Sequence, residues 1–205
     1  MKRLLTLSLA ALLAAALTGC GARGAKPVIY LYPEEETQVT VTLELDGTFT
    51  STYPDYGEGW TVTAAPDGTL TAPETGRTYY CLFWEGIIDR QFDLSAGFCV
   101  AGEDTAAFLE DALARLGLTE REANEFIIYW LPRMECNPYN LISFQTDAYT
   151  DAAELTIDPA PDTLIRVFMT WKGLDQPVEI PAQELTAPAR TGFTAVEWGG
   201  AELDG

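Results

Sequence analysis

The chain has 205 residues and a formal net charge of −19, from 31 acidic and 12 basic residues. Such an acidic surface repels nucleic-acid phosphates and anionic lipid headgroups, so nucleic acid is excluded as a partner. Histidine is absent, which excludes hydrolases that use a histidine base and the usual catalytic zinc sites. No motif points to a metal or a cofactor, and we expect neither.

The N-terminus has the pattern of an export signal. Lys2 and Arg3 precede an apolar run at 4–17, which is too short to span a bilayer, and small residues lead to Cys20. Leu17-Thr18-Gly19-Cys20 resembles the lipobox of bacterial lipoproteins. The resemblance implies cleavage before Cys20, a lipid on its sulfur, and attachment to the cell membrane facing outside the cytoplasm. Ordinary cleavage without a lipid is the alternative.

The domain organisation follows from this signal. Residues 1–19 are expected to be the signal peptide, and residues 20–25 a lipidated cysteine with a short tether. The remaining residues, 26–205, are long enough for one domain with its own core. No internal repeat interrupts this part of the chain.

The first half of the domain shows the alternation typical of strands. Residues 38–45 alternate apolar and polar side chains, and Asp46-Gly47 is expected to turn them into a hairpin with residues 48–52. Residues 60–64 alternate again. Residues 79–84 are apolar on both faces, which predicts one central, fully covered strand.

The middle of the chain changes to helical spacing. Apolar residues at 108, 109, 112, 113 and 116 predict a helix, and Thr119 with Glu122 forms a capping-box pattern for a second helical turn. Residues 126–131 are rich in aromatic and β-branched side chains, so we interpret them as a buried strand. A helix continuing to Trp130 is the rival interpretation.

The pattern of strands returns after Pro138 and continues to the C-terminus. We therefore predict a mainly β (α+β) fold, an antiparallel β-sandwich-like domain with one helical excursion around residues 103–125. The predicted strands of this half are 141–146, 155–157, 164–171, 178–180 and 192–198.

Cys81, Cys99 and Cys136 follow the N-terminal cysteine, and no pair has the C-x-x-C spacing of a redox or zinc motif. Outside the cytoplasm a disulfide such as Cys81–Cys99 is permitted. The alternative is that all three are small apolar residues of the core.

Three segments carry a family resemblance: KPVIYLYP at residues 26–33, residues 82–85, and residues 192–199. The chain resembles a family of uncharacterised secreted or lipid-anchored bacterial proteins, many from gut Firmicutes, that open with such a segment. The resemblance implies a habitat but no activity. Physically, the prolines that bracket the first segment predict an edge strand or the first strand of the domain.

Glu85 and Glu197 are candidate catalytic carboxylates because each lies beside a tryptophan, Trp84 and Trp198. A glycosidase needs two carboxylates about 5–9.5 Å apart, and an apolar ring raises the pKa of the acid. The alternative is that both glutamates pair with an arginine or with solvent. The same two tryptophans are candidates for stacking on a sugar.

Arg133 lies in a predicted polar loop with Asn137 and Asn140, where it could recognise a carboxylate or a peptide. Taken together, these features favour a non-catalytic binding or adhesion module at the cell envelope, with a glycan or peptide partner. The alternatives are a carboxylate-dependent, glycosidase-like enzyme and a structural subunit of an envelope complex.

Overall fold

A computed structural model describes residues 22–203. The export signal and Cys20 lie outside these described residues. A 3-10 turn at Gly102–Asp104 precedes the first helix. The strands are β1 (Ala22–Tyr32), β2 (Thr37–Leu45), β3 (Gly47–Tyr53), β4 (Trp60–Ala64), β5 (Leu70–Thr71), β6 (Thr78–Tyr79), β7 (Leu82–Ile88), β8 (Phe98–Ala101), β9 (Tyr139–Gln145), β10 (Ala153–Asp158), β11 (Thr163–Leu174) and β12 (Thr194–Glu202), and the helices are α1 (Thr105–Arg115), α2 (Glu120–Met134) and α3 (Asp147–Ala152).

The strands form two sheets. The larger has seven strands in the order β3-β7-β1-β12-β11-β9-β8, and the smaller has five in the order β10-β2-β4-β5-β6. Neighbouring strands are antiparallel except for β11 and β12, which run parallel. The fold is therefore mainly β and sandwich-like, as the sequence predicts.

The seven-stranded sheet is covered on both faces. Ile29 and Leu31 of β1 face the smaller sheet, in a core that includes Val39 and Trp60, whereas Val28 and Tyr30 face the helices. Alternate side chains of one strand point to opposite faces of its sheet, so β1 contributes to two cores. The molecule consequently has three layers, with the small sheet, the large sheet and the helix pair stacked in that order.

Helix α2 corrects the interpretation of residues 126–131 as a strand. Phe126, Trp130 and Met134 are buried at four-residue spacing against the large sheet, so the rival helical interpretation is the right one. Pro132 lies inside the last turn. The helix tolerates it because the carbonyl left without a donor belongs to Ile128, whose side chain is exposed. The helical region thus extends from residue 102 to residue 134, beyond the predicted 103–125.

Strand β1 is central rather than an edge strand, since it pairs with both β7 and β12. Pro27, the proline within β1, is accommodated by a β-bulge: the pairing with β7 shifts register between Gly24 and Val28. Pro27 lies in this bulge over Gly199, where an added Cβ would come within 2.9 Å of the proline Cα. The bulge thus interrupts the hydrogen-bond ladder at the position where Pro27 has no N–H to donate.

The expected tether also differs from the structure, because part of it is strand. Ala22, Arg23 and Gly24 pair with residues of β7, and Ala25 pairs with β12. The ordered domain therefore begins at least four residues earlier than residue 26.

Three other strand predictions need correction. Asp46 and Gly47 do not close a hairpin, because β2 belongs to the small sheet and β3 to the large one. Residues 79–84 are divided between β6 and β7, which lie in different sheets. Residues 178–180 form no strand and belong to the irregular crossover that links the parallel strands β11 and β12. Gln183 of this crossover bonds the backbone N–H and carbonyl of Phe144, where β9 extends past β8.

The capping box at the start of α2 generates a stability prediction. The Glu122 backbone donates to the Thr119 hydroxyl, and the Thr119 backbone donates to the Glu122 carboxylate at 2.8 Å. Replacing Thr119 with Ala leaves the Glu122 N–H without its acceptor and should lower the free energy of unfolding by about 1 kcal/mol. Urea denaturation measures the change. Thr186→Ala, at an exposed position in the crossover, is the control, and equal stabilities for the two variants would contradict the cap.

Candidate functional site

An open groove of about 450 Å³ lies at the margin of the large sheet, on the face that carries the helices. It is formed where β7, the start of β1 and the middle of α2 meet, with the ends of β3 and β6 beside them. We call it the tyrosine groove. Its lining residues are Lys26, Val28, Tyr53, Thr78, Tyr79, Tyr80, Cys81, Phe83, Glu85 and Tyr129.

Aromatic rings dominate the groove. Tyr53 and Tyr80 are each 50% exposed. Tyr53 meets Tyr79 edge to face at 5.5 Å between ring centroids. Phe83 and Tyr129 are half-buried and complete the aromatic lining. Partly exposed rings on a concave surface offer apolar faces to a ligand while their hydroxyls remain in contact with water.

The backbone of Lys26 and the carboxylate of Glu85 meet at the β1 side of the groove. The bulge places residues 25–27 opposite Trp84 and Glu85, and there the Lys26 N–H donates to Oε1 of Glu85 at 3.3 Å. Lys26 has a φ of 53°, and no other non-glycine residue of the described range 22–203 has a positive φ. Such strained backbone is concentrated at functional sites.

Burial raises the pKa of two ionisable groups that line the groove. It raises the pKa of the Cys81 thiol to about 12, with the negative charge of Glu125 adding to the effect. Burial also raises the pKa of the Tyr129 hydroxyl. A protonated thiol is a weak nucleophile. The charge of the groove therefore comes from Lys26 and Glu85, and from the arginines at its margin.

The two candidate catalytic glutamates do not meet. Glu85 lies in the tyrosine groove on the helix-facing side of the large sheet. Glu197 follows Val196, a residue of the helix-side core, and therefore points to the opposite face, toward the small sheet, where it is fully buried. The paired arrangement that a glycosidase needs is absent from these two residues.

Glu197 belongs to a buried polar cluster between the sheets. Its carboxylate accepts from Trp84 Nε1 at 3.1 Å and from Arg166 Nε at 2.7 Å. Arg166 also donates to the Ala153 carbonyl at 2.7 Å, and its guanidinium lies 4.8 Å from the centroid of Tyr149. Burial raises the pKa of Tyr149 well above its usual range, and the charge of Glu197 adds to this. The cluster is a structural ion pair, which is the alternative that the sequence left open.

The tryptophan candidates are buried as well. Trp84 and Trp198 have no exposed surface, and the other three tryptophans are also in the core. Neither candidate can stack on a sugar. Trp84 instead orients the Glu197 carboxylate.

Arg133 lies in α2 rather than in a loop. Its guanidinium stacks 4.0 Å from the ring centroid of Tyr129, at the margin of the tyrosine groove, and bonds the Tyr129 carbonyl. Asn137 and Asn140 do not join it. Asn137 bonds Asn140 at 2.7 Å, and the buried Asn140 bonds the Thr105 hydroxyl at 3.0 Å. These two asparagines hold α1 and α2 to the start of β9.

The sequence interpretation missed the tyrosines of the groove. Tyr53 follows a short strand, Tyr79 and Tyr80 were interpreted as part of one central strand, and Tyr129 as part of another. The available signal was local: Tyr79-Tyr80 with Arg77 in a turn-rich stretch. Their convergence depends on strand order and cannot be inferred from spacing.

The three cysteines after Cys20 are free. Cys81 is buried, Cys99 is half-buried and Cys136 is exposed, so the interpretation as core residues holds for Cys81 alone. Residues 22–203 include no cluster of three or more Cys, Asp or Glu side chains suited to a metal. Within the same range no helix is both long and apolar enough to cross a membrane.

Fold and site together define a three-layer, β-sandwich-like domain with an aromatic surface groove. No protein-family model matches the chain, and no solved structure matches it at a significant level. A Butyrivibrio fibrisolvens protein described as "uncharacterized protein in bglA 3' region" is 42% identical over 85 residues, which cover 37% of this chain and 86% of that protein. The chain belongs to the family of this uncharacterised protein.

The buried ion pair generates a second stability prediction. Replacing Arg166 with Met leaves the Glu197 carboxylate buried without its counter-charge and should cost about 3–5 kcal/mol of unfolding free energy. The double variant Arg166→Met/Glu197→Leu should recover much of that loss, because it removes both charges. Urea denaturation of the single and double variants measures the coupling.

Arg90→Met is the matched control, since the Arg90–Asp46 pair at 2.9 Å is exposed. Exposed pairs contribute about 0–1 kcal/mol. A loss in Arg166→Met no greater than that in Arg90→Met would contradict the structural role of the buried pair.

Proposed function

We propose that the protein is a lipid-anchored, non-catalytic binding module of the cell envelope that holds a glycan in the tyrosine groove. The observation that carries the proposal is the set of partly exposed tyrosine rings on one concave surface. Sugar rings present apolar C–H faces that pack on aromatic faces, and their hydroxyls bond nearby polar groups. The volume of the groove lies within the range of about 300–1,000 Å³ found for ligand clefts.

The distribution of carboxylates favours binding over catalysis. Among the ten residues that line the groove, Glu85 is the single carboxylate. Glycoside hydrolysis in most families needs a second carboxylate across the scissile bond. Glu85 is suited to accept hydrogen bonds from sugar hydroxyls, since its Oε1 is already oriented by the Lys26 N–H.

The anchoring part of the proposal rests on the N-terminal sequence. The position of β1 limits how far a lipid on Cys20 could be from the groove. Strand β1 begins at Ala22, two positions after Cys20, and Lys26 of the groove follows four positions later. An extended chain covers about 3.3 Å per residue, so the six residues from Cys20 to Lys26 could span about 20 Å at most. A lipid on Cys20 would therefore hold the groove near the membrane surface, within reach of envelope glycans.

A labelling experiment tests the anchor. The full chain expressed in a bacterium with lipoprotein processing and fed an alkyne fatty acid should incorporate the label, and Cys20→Ser should abolish it. Cys136→Ser, which changes an exposed cysteine of the domain, should keep the label and controls for nonspecific acylation. Equal labelling of Cys20→Ser and the unchanged protein would contradict lipidation at Cys20.

A binding experiment tests the groove. A soluble protein that begins at Gly21 is screened on an array of neutral and acidic glycans and of peptides, and affinities for the positive spots are measured by calorimetry. Removing one stacking ring by Tyr53→Ala or Tyr80→Ala should weaken glycan binding about tenfold, a loss of about 1.4 kcal/mol.

Ile128→Ala is the control for this screen, because Ile128 is an apolar side chain that is 74% exposed on α2 and does not line the groove. Circular dichroism verifies that each variant folds. Binding to peptides alone, no binding to any glycan, or equal affinities in the tyrosine and Ile128 variants would overturn the proposal.

A further inference from the structure

The basic residues of the domain divide into two groups of equal size. Ten basic residues lie within the described range, and half of them form salt bridges with a carboxylate there. The paired group is Arg90, Arg115, Arg121, Arg166 and Arg190. The group without a carboxylate partner within 4.0 Å in residues 22–203 is Arg23, Lys26, Arg77, Arg133 and Lys172.

Three of these unpaired cations stand over rings of the tyrosine groove. Arg133 lies 4.0 Å from the centroid of Tyr129, and Lys26 Nζ lies 5.3 Å from the same ring. At the other side, Arg77 lies 5.9 Å from Tyr53 and 5.8 Å from the neighbouring Tyr79. Each cation is thus held by a groove ring rather than by a carboxylate.

This arrangement is informative because the protein is so acidic. The chain has 31 acidic and 12 basic residues, so there are enough carboxylates for every cation to form an ion pair. Three cations that remain without one around a single groove create a local positive potential in a negative surface. Glu85, the single lining carboxylate, and Glu125, whose charge acts on Cys81, offset part of this positive charge.

We propose that the glycan held in the groove carries oxyanions, as carboxylate or phosphate groups on its sugars. The inference rests on the proposed glycan binding and adds the charge of the ligand. Arginine bonds an oxyanion through two parallel N–H groups and lysine acts as a point charge, so Arg77, Arg133 and Lys26 suit either oxyanion. The overall charge of −19 repels dense polyanions, so the ligand carries isolated oxyanions spaced along a short saccharide.

Pairs of ligands that share the same sugar and differ only in charge distinguish the contribution of the charge from that of the sugar. The soluble protein that begins at Gly21 is titrated with a short oligosaccharide that carries a single uronic acid and with its methyl ester, and with singly phosphorylated oligomannose before and after phosphatase treatment. Each pair keeps the sugar and removes the charge. The charged member of at least one pair should bind about tenfold more tightly, and its affinity should fall as ionic strength rises, whereas that of the neutral member should not.

Variants that each remove one cation show which residues produce the preference for the charged ligand. Lys26→Gln, Arg77→Gln and Arg133→Gln should each remove most of the preference for the charged ligand. Arg77→Gln and Arg133→Gln, which change residues outside the groove lining, should also leave affinity for the neutral ligand within about twofold. Lys172→Gln is the control, since Lys172 is an unpaired cation on β11 that does not stand over a ring of the groove.

Each outcome decides the question. A charged ligand preferred by the unchanged protein but not by the three variants supports the inference. Equal binding of charged and neutral members, or a preference that survives in all three variants, overturns it and leaves glycan binding intact. No binding by any of the four ligands, together with an array free of glycan signals, overturns the proposed function and the inference with it.

Discussion

Burial of the seven-stranded sheet on both faces is the constraint on which the rest of the structure depends. A sheet covered on two sides needs apolar side chains at successive positions, and β1 supplies them in Val28, Ile29, Tyr30 and Leu31. The small sheet covers one face and the helix pair covers the other. The layers, the helical middle of the chain and the place of the groove all follow from this demand.

The tyrosine groove lies where coverage on the helix side ends. On β7, Leu82 and Trp84 face the small sheet and are fully buried, whereas Phe83 and Glu85 face the helices and remain half exposed. Ile87 continues this uncovered row at 43% exposure. The same strand is therefore core on one face and ligand-accessible on the other. The bulge in β1 contributes as well, because it directs Lys26 out of the regular pairing and toward Glu85.

The sequence was sufficient for elements whose periodicity matches their environment. Residues 38–45 alternate and became β2, and the capping box at Thr119 begins α2. It was insufficient where composition and periodicity conflict. Residues 126–131 have the aromatic and β-branched composition of a strand, yet a strand would place Phe126, Ile128 and Trp130 on one face. Ile128 is 74% exposed while the other two are buried, as helical spacing requires. The capping box was the better signal, because it specifies backbone geometry rather than burial.

Sheet membership and the site were harder to predict than element type, for a related reason. Asp46-Gly47 has the local chemistry of a hairpin turn, but the strands on either side enter different sheets. Glu85 and Glu197 were selected for their tryptophan neighbours, and strand parity then placed them on opposite faces. The groove unites residues from positions 26, 53, 78–85 and 129, and no local pattern predicts which strand ends become neighbours.

The same layered packing explains why the tryptophans are buried and why tyrosines line the groove. Two cores in one domain need large apolar side chains, and all five tryptophans are used there. Tyrosine can stand at the margin, because its hydroxyl stays hydrated while its ring packs. Adjacent helical residues point about 100° apart, so α2 buries Trp130 while Tyr129 reaches the groove between Lys26 and Arg133. The most exposed rings of the groove, Tyr53 and Tyr80, are therefore tyrosines, and the tryptophans are confined to the two cores.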